Sequence, residues 1–177
     1  MARTSGIRVI AYRDAAPADG PALAGMAKRA FTDTFGSLYR ASDLAAFLDS
    51  TFGDEGLPSH LSDRRYAVRL ARDAEAIVGF AKLGPVAFPG GWGADVIELH
   101  QLYVLGPWQG EGVAPVLMDW ALAKARAEGY RRMVLSVFVD NIRAQRFYAR
   151  YGFTEVGRYE FRVGEQIDDD RIWSLDL

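Results

Sequence analysis

Leu99 to Tyr130 reads as strand, turn and helix without interruption: LHQLYV, then LGPWQGEGVA, then PVLMDWALAKARAEGY. No other stretch narrows the possible folds as much. The turn sets Gly110 and Gly112 around Glu111 and delivers the chain to a helix start marked by Pro115, where the missing N–H costs nothing. A helix starting there points unpaired N–H groups outward, and these donors, with the positive end of the helix dipole, form a site for phosphate or another anion. The plain alternative is a tight connection with no ligand. A Walker-type loop is excluded because no Gly-Lys followed by Ser or Thr occurs here, and a dinucleotide fingerprint would need a third glycine where Pro115 stands.

The chain has 177 residues, half of them hydrophobic, enough to bury one core. We therefore expect one α/β domain spanning 1–177. A formal charge of -2 lacks the footprint of a nucleic-acid binder. With no cysteine, the chain forms no disulfide, thiolate metal site or acyl-cysteine intermediate. The N-terminal MARTSGIRVIAYRD has no signal-peptide apolar run and no stretch reaches membrane-spanning length. The expectation is a soluble, cytoplasmic protein without a nucleic-acid or membrane partner, with a homodimer left open.

The β-branched run Ile7 to Tyr12 predicts a first strand at a sheet edge. Leu23, Met26, Ala27 and Ala30 recur at helical spacing and predict a helix from Pro17 to Phe31. A second helix carries Leu44, Phe47, Leu48 and Phe52, capped by Ser42 or Asp43 and ended by Gly53. Phe31 and Phe35, between the two helices, either line a substrate pocket or staple the helices together. Tyr66 to Ala71 and Glu75 to Leu83 predict an antiparallel hairpin, and the Gly- and Pro-rich segment 85–94 reads as a mobile loop.

In the central strand, strict alternation puts Glu98, His100, Leu102 and Val104 on one face, and Ile97, Leu99, Gln101 and Tyr103 on the other. An ionisable pair in an apolar strand requires explanation: Glu98 and His100 sit either at a wet strand end or in a catalytic site. Met133 to Val139 predicts a strand covered on both faces. Asp140 or Asn141 then caps a helix with the apolar stripe Ala144, Phe147, Tyr148 and Tyr151, while Arg143, Arg146 and Arg150 form a solvated basic side and Gly152 ends it. Strands at about Phe153 to Val163 and Arg171 to Leu177 flank a predicted turn, Gly164 to Asp170.

Gln109-Gly110-Glu111-Gly112-Val113-Ala114 resembles the Gln/Arg-x-x-Gly-x-Gly/Ala signature of the GCN5-related N-acetyltransferases (GNAT). Asn141-Ile142-Arg143-Ala144-Gln145-Arg146-Phe147-Tyr148-Ala149-Arg150-Tyr151-Gly152-Phe153 resembles the Asn-x-x-Ala-x-x-Phe-Tyr-x-x-x-Gly-Phe segment of the same family. The resemblance implies a strongly twisted mixed sheet of about seven strands with about four helices, and acetyl-CoA as cosubstrate. It places the pantetheine arm between the Leu99 and Met133 strands, against Leu102, Tyr103 and Val104. It assigns the pyrophosphate to the amides of Gln109 to Ala114, a contact with the arm to Asn141, and the sulfur to Tyr148. Gln109 and Glu111 depart from the basic residues common in relatives, which leaves the cradle dependent on backbone donors.

The implied reaction moves an acetyl group directly to a primary amine, without metal or covalent intermediate. An alkylammonium with a pKa of about 10.4 must first lose a proton. Glu98, through a water, is the candidate base, with His100 as the alternative, and Tyr148 is the acid for the leaving thiolate. FTDTFG, AAFLDSTF and GFTEVGRYEFRVGEQIDDD further resemble bacterial polyamine acetyltransferases of the PaiA type. Asp33, Asp43, Asp49, Glu98 and the Glu165 to Asp170 cluster would attract a polycation if the first helices and the final hairpin border one cleft. A protein or peptide amine acceptor, or a non-catalytic CoA-binding sensor, are the competing functions.

Overall fold

The computed structural model describes residues 9–177. Its elements are β1 (Ile10–Asp14), α1 (Gly20–Phe35), α2 (Ala41–Phe52), β2 (Ala67–Asp73), β3 (Ala76–Gly84), β4 (Val96–Val104), α3 (Val113–Ala127), β5 (Arg132–Phe138), α4 (Ile142–Arg150), β6 (Thr154–Val163) and β7 (Gln166–Asp176). The sheet runs β1-β2-β3-β4-β5-β7-β6. All pairs are antiparallel except β4 with β5, so it is the mixed seven-stranded sheet with four α-helices that was expected. Among the described residues β1 is an edge strand paired with β2 alone; the first residues of its expected span, Ile7 and Arg8, lie outside the described residues.

One face of the sheet is covered by α3, whose Val113, Leu117, Met118, Ala121, Leu122 and Ala125 fall on one helical stripe, and by the apolar side of α4. The other face is covered by α1 and α2, where Leu23, Ala27, Phe31 and Phe52 pack on Leu70 and Phe80. A smaller cluster pins the 85–94 loop to this second face. Phe88 is buried with Val134 and Ile172, and its ring centroid lies 5.0 Å from that of Tyr159. The loop is thus anchored at its centre.

The structure corrects four expectations. α1 continues to Phe35, so Phe31 and Phe35 sit in its last turns, and Phe31 packs on Phe47 of α2 with centroids 4.7 Å apart. α2 starts at Ala41 with Arg40 at its N-cap and no side-chain cap bond, so neither Ser42 nor Asp43 caps it. Only Gly164 and Glu165 connect β6 to β7, and Gln166 to Asp170 belong to a strand rather than a turn.

The fourth correction is in β4. Its register against β3 shifts so that Leu83 faces Leu99 while Lys82 faces Gln101, leaving His100 as an extra residue. Such a bulge reverses the side-chain alternation beyond it. Ile97 and Leu99 therefore share the α3 face with Leu102 and Val104, and Tyr103 alone of its predicted set joins the α1 and α2 core.

Candidate active site

The parallel pairing of β4 with β5 covers only Val96 to Glu98 against Arg132 to Val134. Beyond it the strands separate, and a cavity of about 980 Å³ passes through the opening from the α3 and α4 side to the α1 and α2 side. Its walls include Leu99 to Val104 of β4, Ser136 to Phe138 of β5, the glycine turn, α4 and the ends of α1 and α2.

At one mouth stands the glycine turn. Gly110 and Gly112 have φ of +82° and +81°, left-handed values that a side chain adopts only with strain. A Cβ on either would meet no atom within 4 Å, so the space in front of this backbone is open. α3 begins at Val113 with Gly112 as its N-cap, two residues earlier than predicted. Pro115 is then its third residue, still in the first turn where N–H groups have no helical acceptor. Gln109, Gly110, Gly112 and Ala114 line the cavity, whereas the Val113 side chain is buried in the core and Glu111 is not in the wall. Gln109 Nε2 donates to the Val104 carbonyl at 2.8 Å, and Gln109 Oε1 accepts from Arg143 Nη1. Arg143 is thus held beside the glycine turn, which carries no cation of its own. With Arg146 and Arg150 it lines the cavity, so the exposed side of α4 faces the site as well as solvent.

In the middle of the cavity, Tyr148 packs against Phe147 and Phe153, with centroids 5.3 and 5.8 Å away. Burial pushes its pKa upward, which keeps the phenol protonated as a hydrogen donor. Asn141 caps α4, its side chain accepting from the Ala144 N–H at 3.2 Å, and also borders the cavity. Tyr103, half-buried, lines the cavity from β4. Its pKa is raised by burial first, then by Tyr148 and by Asp170.

The predicted Glu98 and His100 pair forms: Glu98 Oε1 and His100 Nδ1 are 3.3 Å apart. Glu98 is only 6% exposed and does not line the cavity. Its Oε2 accepts from the Ala87 N–H at 2.7 Å, and burial pushes its pKa up to about 7. His100 lines the cavity, yet its Nε2 meets the Pro85 carbonyl at 2.9 Å and burial lowers its pKa to about 3. Its Nε2 is therefore occupied, and its Nδ1 faces the Glu98 carboxyl. Behind the pair, Lys82 is buried with its Nζ 2.7 Å from His60 Nδ1, and burial depresses its pKa to about 8.

The far end of the cavity is acidic and aromatic. Asp168 and Asp170, on alternate positions of β7, are 5% and 7% exposed, and both line it with Phe31, Phe35, Phe47 and Tyr39. Asp168 accepts from the Tyr39 hydroxyl and, at 2.9 Å, from Gln166 Nε2. Asp169 points the other way and pairs with Arg171 at 2.8 Å. Burial pushes the Asp170 carboxyl up to about 7, opposed by a hydrogen bond with Ser136 and reinforced by Asp168 and Asp169. The first helices and the final hairpin thus border one cleft. Of the acids named from sequence, Asp168 and Asp170 are in its wall; Asp33, Asp43, Asp49, Glu98 and Glu165 are not. Tyr39, the Ser136 contact and the inward aim of the two aspartates were missed. The signal available was the i, i+2 spacing of Asp168 and Asp170 between strand-forming segments.

Comparison with known proteins agrees with this architecture. The model of the Acetyltransferase (GNAT) family matches residues 27–153. An uncharacterized N-acetyltransferase of Mycobacterium tuberculosis (strain ATCC 25618 / H37Rv) is 35% identical over 159 residues, covering 90% of this chain and 98% of that one. Among solved structures, the PaiA N-acetyltransferase from Thermoplasma acidophilum in complex with coenzyme A shares the fold with a TM-score of 0.78, at 18% identity over 96% of this chain and 99% of that chain. The ribosomal-protein-S18-alanine N-acetyltransferase from Escherichia coli shares it with a TM-score of 0.68, at 18% identity over 95% and 94%. The chain belongs to the GNAT family of acetyltransferases. It is accordingly an acyltransferase with acetyl-CoA as cosubstrate.

Proposed function

We propose that the enzyme acetylates a primary amine on a small polycation such as spermidine. The observation that carries this reading is the burial of Asp168 and Asp170 in an otherwise aromatic cavity end. Carboxylates taken out of water require a compensating charge, and a substrate ammonium supplies it. The rings of Phe31, Phe35 and Phe47 suit the methylene stems of such an amine, and their faces attract its cationic nitrogens.

The opposite mouth fits coenzyme A: left-handed glycines with open space before them suit a pyrophosphate, and the separated edges of β4 and β5 offer backbone groups to an amide-bearing arm. The amides of Gln109 to Ala114 and the Arg143 guanidinium would hold the phosphates, with Leu102, Tyr103, Val104 and Asn141 along the arm. The cosubstrate supplies an activated acetyl group as a thioester. In this reading Tyr148 gives its hydroxyl proton to the departing sulfur, a transfer that needs only hydrogen-bond reach.

Release of free thiol from acetyl-CoA, measured with spermidine, a monoamine of similar length and an N-terminal peptide at two salt concentrations, tests the proposal. Spermidine is expected to be the best substrate, with kcat/KM falling as salt rises. A peptide preference would move the acceptor to a protein N-terminus, and no release with any amine would leave a CoA-binding module.

A further inference from the structure

We infer that Asp170 is the catalytic residue that removes the proton from the acceptor ammonium, and that Asp168 anchors the substrate beside it. This rests on the amine-acetylation reading above. Three observations support it. First, Asp170 belongs to the cavity wall, and its backbone is paired with Phe138 at the end of β5 where the sheet has opened. Glu98 lies outside that wall with its oxygens committed to Ala87 and His100. Second, Asp170 lines the same cavity as Tyr103 and Tyr148, among the aromatic residues Phe31, Phe35 and Tyr39, whereas Tyr148 comes from α4.

Third, the two aspartates have different surroundings. Asp168 is held by two donors, Tyr39 and Gln166. Asp170 is touched by the Ser136 hydroxyl, with Asp168 and Asp169 as the charged groups acting on it and the Tyr103, Tyr159 and Tyr39 phenols facing it from β4, β6 and the segment after α1. Two carboxylates whose environments differ in this way take different roles, one fixed by its donors as an anchor and the other placed to carry a proton. Its carboxyl, raised to about 7, narrows the gap to an alkylammonium to roughly 3 pH units, where an ordinary aspartate would leave more than about 6.

The protons balance as follows. One N–H bond of the substrate ammonium breaks and its proton bonds to an Asp170 oxygen. The freed nitrogen lone pair forms the N–C bond to the acetyl carbon. The C–S bond breaks with its electron pair on sulfur, which takes the Tyr148 hydroxyl proton. The new amide nitrogen returns its surplus proton to Tyr148, and Asp170 releases its proton to water.

The test compares pH profiles of kcat/KM for wild type, Asp170→Asn, Asp170→Glu and Glu98→Gln with spermidine, alongside infrared titration of the carboxyl groups without acetyl-CoA. Asp170→Asn is expected to lose about 10²-fold at pH 7, a typical general-base effect. It should also rise with pH to 9 without the wild-type plateau, while binding acetyl-CoA normally by calorimetry. Asp170→Glu should recover part of the rate, and Glu98→Gln should keep the wild-type acid limb. In the Glu98→Gln background, a carboxyl band titrating near neutrality should remain and vanish when Asp170→Asn is added. An Asp170→Asn profile like that of wild type, a lost acid limb in Glu98→Gln alone, or a band that titrates with surface carboxylates would each overturn the assignment. Wild-type enzyme inactive on every amine would instead overturn the acetylation reading on which it rests.

Discussion

Glu98 and His100 stand with a carboxyl oxygen and a ring nitrogen 3.3 Å apart. The Pro85 carbonyl can only accept, so His100 Nε2, 2.9 Å away, carries the ring proton, and a neutral imidazole then has a bare Nδ1. Glu98 Oε1, 3.3 Å from that nitrogen, therefore faces a lone pair, which disfavours the ionised carboxylate and tolerates the neutral carboxyl.

This pairing makes stability depend on pH. The folded pKa of Glu98, about 7, is raised above its ordinary value of 4.5, so its contribution is fully present below about 4.5 and lost as pH rises through about 7. Glu98→Gln keeps the neutral hydrogen-bonding form at every pH. It should melt close to wild type at pH 5 and be more stable at pH 8 by up to about 3 kcal/mol, seen as a higher Tm in thermal unfolding.

Tyr148→Phe should retain acetyl-CoA affinity in calorimetric titration and lose at least about tenfold in kcat, because only the leaving-group proton donor is removed. Unchanged turnover would remove Tyr148 from the reaction.

Gly112→Val should weaken acetyl-CoA and free coenzyme A alike, since the added carbons enter the open space that a phosphate would occupy. The left-handed backbone at this N-cap adds a penalty of about 1 to 2 kcal/mol, so the variant should fold with a lower Tm. Wild-type affinity in the folded variant would rule out the turn as the phosphate site.

Asp168→Asn should raise KM for spermidine at least about tenfold and change kcat less, and it should flatten the dependence of kcat/KM on salt, which screens charges over roughly 10 Å at 0.1 M. Steady-state kinetics at two ionic strengths decide this; an unchanged KM would detach Asp168 from the acceptor.

The parts of the fold legible in the sequence are those fixed by local chemistry. The α4 segment announces itself through the Asn141 cap, the Ala144, Phe147, Tyr148 and Tyr151 stripe and a terminal glycine at φ +94°, and the glycine turn needs only its own backbone. What stayed hidden depends on partners distant in sequence. The His100 bulge exists only in the register of β4 against β3. Gln166 to Asp170 read as a turn because a run of polar residues hides period-two burial, and only the pairing of β7 between β5 and β6 and the Tyr39 hydrogen bond show that Asp168 and Asp170 face inward. Glu98 and His100 were legible as a pair; their side of the wall was not.

The brief contact between β4 and β5 also bears on how the molecule holds together. Among the described residues, three residue pairs are the only strand-to-strand link between a half built from β1 to β4 and a half built from β5, β7 and β6. A molecule that hydrogen-bonds to both free edges acts as an eighth strand, and its affinity adds directly to the cohesion of the sheet, about 2.7 kcal/mol at a hundred times Kd. If acetyl-CoA binds between these edges as proposed, it becomes in this sense part of the architecture, and the thermal stability of the enzyme should rise with its concentration.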